Sequence, residues 1–200
     1  MSIFDKARIA ILEDKTLWKG WSHLRGITFD FFREGRAPHR LSWEVFERRH
    51  ASAILLLNTE RDTVTLVRQL RIAAHVSGDH AYLLEVPAGF IDDGETALQA
   101  ALREALEETG FKIAKATPAF AAYMSPGSVT EKLHGFYAEV SDADRISDGG
   151  GLEDEQEDLE VIELTFTEAL EMVEAGEIVD AKTIMLLQWA ALRRSGAERL

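Results

Sequence analysis

Three glutamates, Glu104, Glu107 and Glu108, stand within five residues of one another in a stretch whose pattern is helical. A helix is predicted over residues 96–109: Leu98, Ala101, Leu102, Ala105 and Leu106 recur at three- and four-residue intervals, no proline interrupts them, and Gly110 supplies a stop. On that helix the carboxylates fall at i, i+3 and i+4, so they share one face, roughly opposite Leu98, Leu102 and Ala105. Three like charges so close repel one another and call for a cation. Hard oxygen ligands suit Mg²⁺ or Mn²⁺, which keep waters and take substrate phosphate oxygens as further ligands. A glutamate-rich solvated face, with Arg103 and Glu107 as an ordinary i, i+4 pair, would contain the same residues. What sets this stretch apart is the company they keep at fixed spacing: Gly89, Glu95, Arg103 and Gly110.

Read as spacing, the 23 residues from Gly89 to Phe111 are Gly, five residues, Glu, seven residues, then Arg-Glu-Ala-Leu-Glu-Glu-Thr-Gly-Phe. This resembles the signature of the Nudix hydrolases at every polar and glycine position. Ala105 stands where the family usually has a larger aliphatic residue. The resemblance implies a Mg²⁺-dependent enzyme, with Mn²⁺ as the alternative ion, that hydrolyses a nucleoside diphosphate linked to another group. It implies Glu104, Glu107, Glu108 and the Ala88 carbonyl as metal ligands, Glu108 thereby joining the catalytic set, with Arg103 and Glu95 tying the helix to the loop before it.

The resemblance runs along most of the chain. Phe46-Glu47-Arg48, Arg68-Gln69-Leu70-Arg71, Pro87-Ala88-Gly89, Tyr123-Met124-Ser125-Pro126-Gly127 and Gly150-Gly151-Leu152-Glu153-Asp154-Glu155 are similar to the subfamily that holds the ADP-ribose and GDP-mannose pyrophosphatases. Tyr123 to Glu131 and Gly176-Glu177-Ile178 lean to the GDP-mannose side. The Glu153 to Asp158 segment and Leu187-Gln188-Trp189 lean to the ADP-ribose side. By this resemblance Arg71 contacts the substrate diphosphate, Ser125 and Glu131 are substrate-side loop residues, and Glu155 or Glu157 activates water or completes the metal cluster. Trp43 stands where an arginine is expected, and it would either stack on a base or belong to a core or a dimer contact. The plain alternatives are an Arg71 paired with an acid and a Ser125-Pro126-Gly127 turn.

The acidic run Gly151 to Glu160 holds six acids and no base and follows Gly149 and Gly150. Such a run is compatible with a solvated loop. As a catalytic segment, its glycines would let it close over substrate.

The elements that must position these groups are strands with few helices, hence an α/β (α+β) class. The resemblance makes this a Nudix-type α/β/α sandwich preceded by a small N-terminal antiparallel sheet. Residues 1–48 are expected to form that sheet and a dimerisation surface, and residues 49–200 the hydrolase domain. Extended structure is predicted for Trp18 to Phe32 and Leu41 to Phe46, with a turn at Gly35 to Pro38. Buried strands are predicted at Ser52 to Leu57 and Val64 to Val67, a short strand at Tyr82 to Val86, and strands at Ala119 to Met124, Leu133 to Val140 and Val161 to Phe166. Thr167 is the predicted N-cap of a helix from Glu168 to Ala175 closed by Gly176, and Asp180 that of a helix to Arg194 with an Ile184, Leu187, Ala191 stripe.

The chain has 200 residues, no cysteine and a net charge of −13, so disulfides and thiolate metal sites are excluded. Residues 1–75 carry 13 Lys and Arg against 9 Asp and Glu, and residues 76–200 carry 9 against 26. An acidic half argues against a nucleic-acid partner. It does not exclude an anionic substrate, because bound divalent ions invert the local field. No apolar run is long enough for a membrane span and the N-terminus lacks signal-peptide character, so a cytoplasmic location is expected. The six histidines have no ligand spacing, and neither a Ser-His-Asp pattern nor a P-loop is present. Residues 1–48 hold three of the four tryptophans, more aromatic surface than a small sheet buries alone. A homodimer with exchanged N-terminal segments follows by resemblance, lending Trp43 or Arg48 to the neighbour's site. The expected activity is cleavage of a small-molecule nucleotide sugar, GDP-mannose or ADP-ribose, to a nucleoside monophosphate and a sugar phosphate. The rival is a catalytically silent regulatory module, which should have lost its ligands.

Overall fold

The computed structural model describes residues 4–151 and 158–196. The chain divides into two compact units, Met1–Arg49 with Tyr123–Lys132, and His50–Ala122 with Leu133–Leu200.

The first unit is built on an antiparallel sheet of β1 (Arg8–Lys19), β2 (His23–Phe32) and β3 (His39–Glu47). Its register places Ile11 opposite Phe29 and Trp43 opposite Ile27. Cross-strand ion pairs hold it: Arg40 on Asp30 at 2.9 and 3.0 Å, and Arg25 between Asp14 and Glu47. The single extended stretch predicted from Trp18 to Phe32 is corrected to the end of β1, a turn at Gly20–Ser22, and β2. Strand β1 escaped the pattern because register shifts at Ile11/Glu13 and Thr16/Trp18 break its alternation of apolar and polar residues. Beyond β3, the 123–132 segment is joined to it by Phe46 N donating to Ser128 O (2.7 Å) and Thr130 N to Phe46 O (3.1 Å).

The second unit carries a mixed seven-stranded sheet in the order β10-β5-β4-β9-β8, with β6 pairing β5 and β7 pairing β4. The strands are β4 (Ala51–Asn58), β5 (Thr63–Leu70), β6 (Tyr82–Glu85), β7 (Ala88–Phe90), β8 (Thr117–Tyr123), β9 (Lys132–Val140) and β10 (Glu160–Thr165). Among the described residues, four α-helices accompany them: α1 (Ile72–Val76), α2 (Ala97–Thr109), α3 (Phe166–Ala175) and α4 (Ala181–Arg194). Strand β4 lies parallel to β9, Ala51 opposite Leu133 through Asn58 opposite Val140, and is buried from Ser52 to Asn58. A strand buried on both faces reads as one apolar run, and Ala53 to Leu57 is that run.

Alternation along these strands makes the sandwich. Ile54 and Leu56 with Phe136, Ala138 and Val140 cluster with Ala101 and Ala105 of α2. The intervening Tyr137 meets Trp189 of α4, ring centroids 5.7 Å apart, so α2 and α4 cover opposite faces. Helix α2 opens on a Thr96/Gln99 capping box that sequence reasoning missed, and it ends on Gly110 at φ +79°, the predicted stop. The N-cap of α3 is Thr165 instead of the predicted Thr167: its hydroxyl accepts from Glu168 N, Glu168 reaches back, and Phe166 becomes the first helical residue. Asp180 caps α4 as expected, but the buried stripe is Thr183, Leu186, Leu187 and Ala190, with Ile184 and Ala191 only half-buried at its edge.

Candidate active site

The site begins where β6 turns through Val86-Pro87 into β7, under α2. Three alanines, Ala100, Ala101 and Ala105, give α2 a thin face that lies close against the sheet. That closeness draws the acids inward. Glu104 and Glu108 are buried, on the same side as Ala101 and Ala105, so the expectation that the glutamates lie opposite Ala105 is corrected. Leu98, Leu102 and Leu106 are only half-buried, as are Arg103 and Glu107.

Gly89 faces Glu104 directly: a Cβ there would overlap the Glu104 carboxylate. Arg103 gathers the surrounding acids. Its Nε and Nη2 donate to the two Glu95 oxygens at 3.2 Å, Nη2 also to Phe90 O (3.0 Å), and Nη1 to Glu104 (2.8 Å) and Glu107 (2.9 Å). Burial works against its charge, and Glu95, Glu104 and Glu107 more than offset that, holding the guanidinium above its ordinary pKa. Glu95 and Arg103 therefore fasten loop to helix, as expected. Glu108 turns the other way and accepts from Ala88 N at 3.1 Å. Among the described residues no three carboxylate or imidazole groups converge as a ready metal cage. Instead Glu104 and Glu107 converge on Arg103 and Glu108 on the β7 backbone. The donor set is nonetheless all oxygen, which is what a small hard cation requires, and the missing side chain of Gly89 is what lets the Glu104 carboxylate lie against the β7 backbone.

A second network adjoins this one. The Arg71 fork meets buried Glu85 through Nε (2.6 Å) and Nη2 (2.7 Å), and Lys182 donates to the same carboxylate while also pairing with Asp180 at 3.0 Å. Asp180 accepts from the Thr183 hydroxyl (2.6 Å), and that hydroxyl accepts from Val86 N (2.8 Å). Burial pushes Glu85 towards neutrality, but Arg71 and Lys182 outweigh it and hold the carboxyl below its usual range. Arg71 is likewise desolvated yet held above its ordinary value by Glu85, then by Asp180 and Glu108. Arg71 is thus within electrostatic reach of a box carboxylate, and its Nη1 edge lies outside the Glu85 pair.

Residues 47–187 match the model of the NUDIX domain. The chain belongs to the Nudix family. It is 44% identical over 184 residues to the GDP-mannose pyrophosphatase of Citrobacter koseri, covering 91% of this chain and 94% of that protein. It is 43% identical over 183 residues to the GDP-mannose pyrophosphatase of Escherichia coli strain K12, with the same coverage of 91% and 94%. The crystal structure of an ADP compounds hydrolase superposes with a TM-score of 0.75 over 96% of this chain and 97% of that one, at 21% identity, and so shares the fold.

The other predicted residues of this Nudix hydrolase lie in the first unit or outside the described residues. Trp43, on β3, is exposed and meets Phe29 edge-on, ring centroids 5.3 Å apart. Arg48 pairs with Glu131 at 3.4 Å, and its amide donates to Thr130 Oγ1 (2.9 Å). The Ser125 carbonyl accepts from Ser128 N (3.2 Å) and Val129 N (2.9 Å), so Ser125-Pro126-Gly127 is a hydrogen-bonded turn. Glu155 and Glu157 lie outside the described residues. The glycines before them dock on the end of α2, through Gly150 N to Glu108 O (2.9 Å) and Gly151 N to Glu107 O (3.2 Å).

Sequence reasoning missed Glu85, Lys182 and the Asp180–Thr183 link. The signal for Glu85 was present: a lone carboxylate between Leu84 and Val86, in an apolar strand leading into the box. Nothing in the sequence pairs it with Lys182, 97 residues away.

Proposed function

We propose that this Nudix hydrolase is a nucleoside diphosphate sugar pyrophosphatase that acts in the cytoplasm on GDP-mannose, releasing GMP and mannose 1-phosphate. The observation that carries the reading is the all-oxygen set on α2 over Gly89 with Arg71 beside it, an arrangement suited to a diphosphate. The relatives named GDP-mannose pyrophosphatase, similar over nearly the whole chain, favour that sugar nucleotide over ADP-ribose. Glu104, Glu107, Glu108 and the Ala88 carbonyl would hold Mg²⁺, or Mn²⁺ in its place. Bound there, a divalent ion neutralises charge on the diphosphate and makes water a better nucleophile at neutral pH. Arg71, its fork fixed by Glu85, presents its remaining edge to the diphosphate oxygens. Glu155 or Glu157 accepts the proton of the attacking water as the phosphoanhydride P–O bond breaks. Arg103 keeps Glu104 and Glu107 together, and Ser125 and Glu131 serve the substrate side.

The protein is a homodimer in this reading. Ile9, Ile11 and Trp18 are exposed on β1, and Trp21 after it is 91% exposed, which supports a second copy covering them and receiving Trp43 or Arg48 at its site. The silent regulatory alternative is not favoured, because every box carboxylate is present. The test is a panel of sugar nucleotides with Mg²⁺ and product identification. GDP-mannose is expected to be turned over best, giving GMP and a sugar phosphate. Preference for ADP-ribose would overturn the substrate, and no turnover of any sugar nucleotide would overturn the enzyme reading. A monomer in sedimentation, active at assay concentration, would remove the dimer.

A further inference from the structure

The face of the sheet turned away from α2 carries a cavity that the hydrolysis does not use. Its position follows from register. Ile54 and Leu56 lie against α2, so Leu57 between them and Asn58 points to the other face. Leu57 is the partner of Val64, and Val64, Leu66 and Arg68 share one face along β5, which pairs without a register shift from Thr63 to Arg68. Arg68 is in turn the partner of Leu84, and Tyr82 lies on the Leu84 side of β6. These three residues therefore look away from the box. With Met172, Glu177 and Val179 at the close of α3 they enclose a cavity of about 270 Å³, whose rim is completed by Asp79 and His80 from the loop before β6.

The lining combines three kinds of group. Leu84 is buried and, with Met172, makes an apolar floor; Tyr82 and Val179 stand over it, 62% and 42% exposed, as apolar surface that a ligand could cover. Glu177 and Asp79 supply acceptors. Arg68 supplies donors, since Nη1 is given to Glu160 (2.9 Å) and the rest of the fork is left for a second acceptor. Among the described residues the Glu177 carboxylate, the His80 ring and the Tyr82 hydroxyl have no hydrogen-bond or ion-pair partner. A purely apolar ligand would leave these groups unused, and a simple ion would meet either the carboxylates or the guanidinium with the wrong sign. A flat heterocycle with a donor edge beside an acceptor edge satisfies both. Its N–H groups donate to a carboxylate, its carbonyl and ring nitrogen accept from the guanidinium as guanine O6 and N7 do, and its ring stacks on the tyrosine. Ligand cavities commonly span roughly 300–1,000 Å³, so this one has room for one fused ring system and not for a whole nucleotide sugar.

We propose that this cavity is a second nucleobase site, separate from the box, which takes a purine of the guanine type and leaves its ribose outside. The test is titration of the full chain with guanosine in EDTA, where neither metal nor turnover contributes, so the result stands apart from the hydrolase reading. Saturable binding is expected, with the methyl NMR signals of Leu84, Met172 and Val179 shifting. Tyr82→Ala is expected to weaken it roughly tenfold or more, the scale of one base–aromatic stack, and Glu177→Gln by a similar factor, whereas Glu108→Gln stays within about twofold. Adenosine should bind at least about tenfold more weakly, because adenine turns an amino donor to Arg68 where guanine has the O6 acceptor. Both cavity variants change exposed side chains and should fold; if Tyr82→Ala does not, Glu177→Gln decides alone. No saturation up to the solubility limit of guanosine, unchanged affinity in the cavity variants, equal affinity for the two nucleosides, or shifts confined to α2 and β7 would each overturn the proposal.

Discussion

Replacing Glu85 with Gln tests the buried ion network more severely than any change at the box. Glu85 is 1% exposed and is the common acceptor of Arg71 and Lys182, so Gln keeps the shape and leaves two cations around a neutral amide. Removing one partner of a buried ion pair destabilises by about 3–5 kcal/mol. Lys182 retains Asp180 at 3.0 Å, which places the expected loss near the lower end, about 3 kcal/mol. For a chain of this size that lowers Tm by roughly 6–12 °C in a calorimetric scan at pH 7. The difference should depend on pH in one direction. The Glu85 carboxyl is held below its usual range when folded, so its contribution is complete above the unfolded carboxyl value of about 4.3 and is lost as pH falls through the folded value. The gap between wild type and variant should therefore begin to close as pH falls below about 4.3 and go on closing down to the folded value. Arg71 loses its acceptor as well, so kcat/KM should fall at pH 7. A loss below about 1 kcal/mol, or a gap as wide at pH 3 as at pH 7, would refute the reasoning.

Glu108→Gln keeps an acceptor for Ala88 N while removing a negative charge, so turnover should fall by orders of magnitude with an unchanged fold by circular dichroism; near-normal turnover at limiting Mg²⁺ would sink the ligand assignment. Glu155→Gln and Glu157→Gln should differ in kcat, the one serving as base falling by roughly 10²-fold or more, whereas full kcat in both and in the double variant would return the acidic run to solvent. Gly89→Ala should displace the Glu104 carboxylate and weaken Mn²⁺ binding measured by paramagnetic resonance, and unchanged Mn²⁺ affinity would show that Glu104 is not a ligand.

Local signals were read well and distant pairings were not. The α2 boundaries, its Gly110 stop and the Asp180 cap follow from side chains within four residues of each end, and the sequence states these directly. Thr167 reads as the α3 cap from its place just before Glu168, whereas Glu168 stands three residues after Thr165 and closes the capping box there, with Phe166 buried as the first helical residue. The inward turn of Glu104 and Glu108 was hidden because hydropathy places acids outside; the three alanines beside them carried the true orientation. The Arg103–Glu107 pair was legible from its i, i+4 spacing and the Arg103–Glu95 tie through the resemblance to the family. The Glu85–Lys182 pair was not, since nothing in either neighbourhood refers to the other.

The parallel pairing of β4 with β9 also governs how the chain is made. Ala51 and Leu133 are partners about 80 residues apart, and loop closure over that separation is slow and entropically unfavourable until the intervening elements have formed. At ordinary translation rates of about 5–20 residues per second, β4 waits roughly 4–16 s between its own synthesis and that of its partner. Throughout that interval Ile54-Leu55-Leu56-Leu57 has an open edge on the side β9 will fill, a template for pairing with another nascent chain. The strand that centres the finished sheet is therefore the segment on which chaperone capture during synthesis should concentrate.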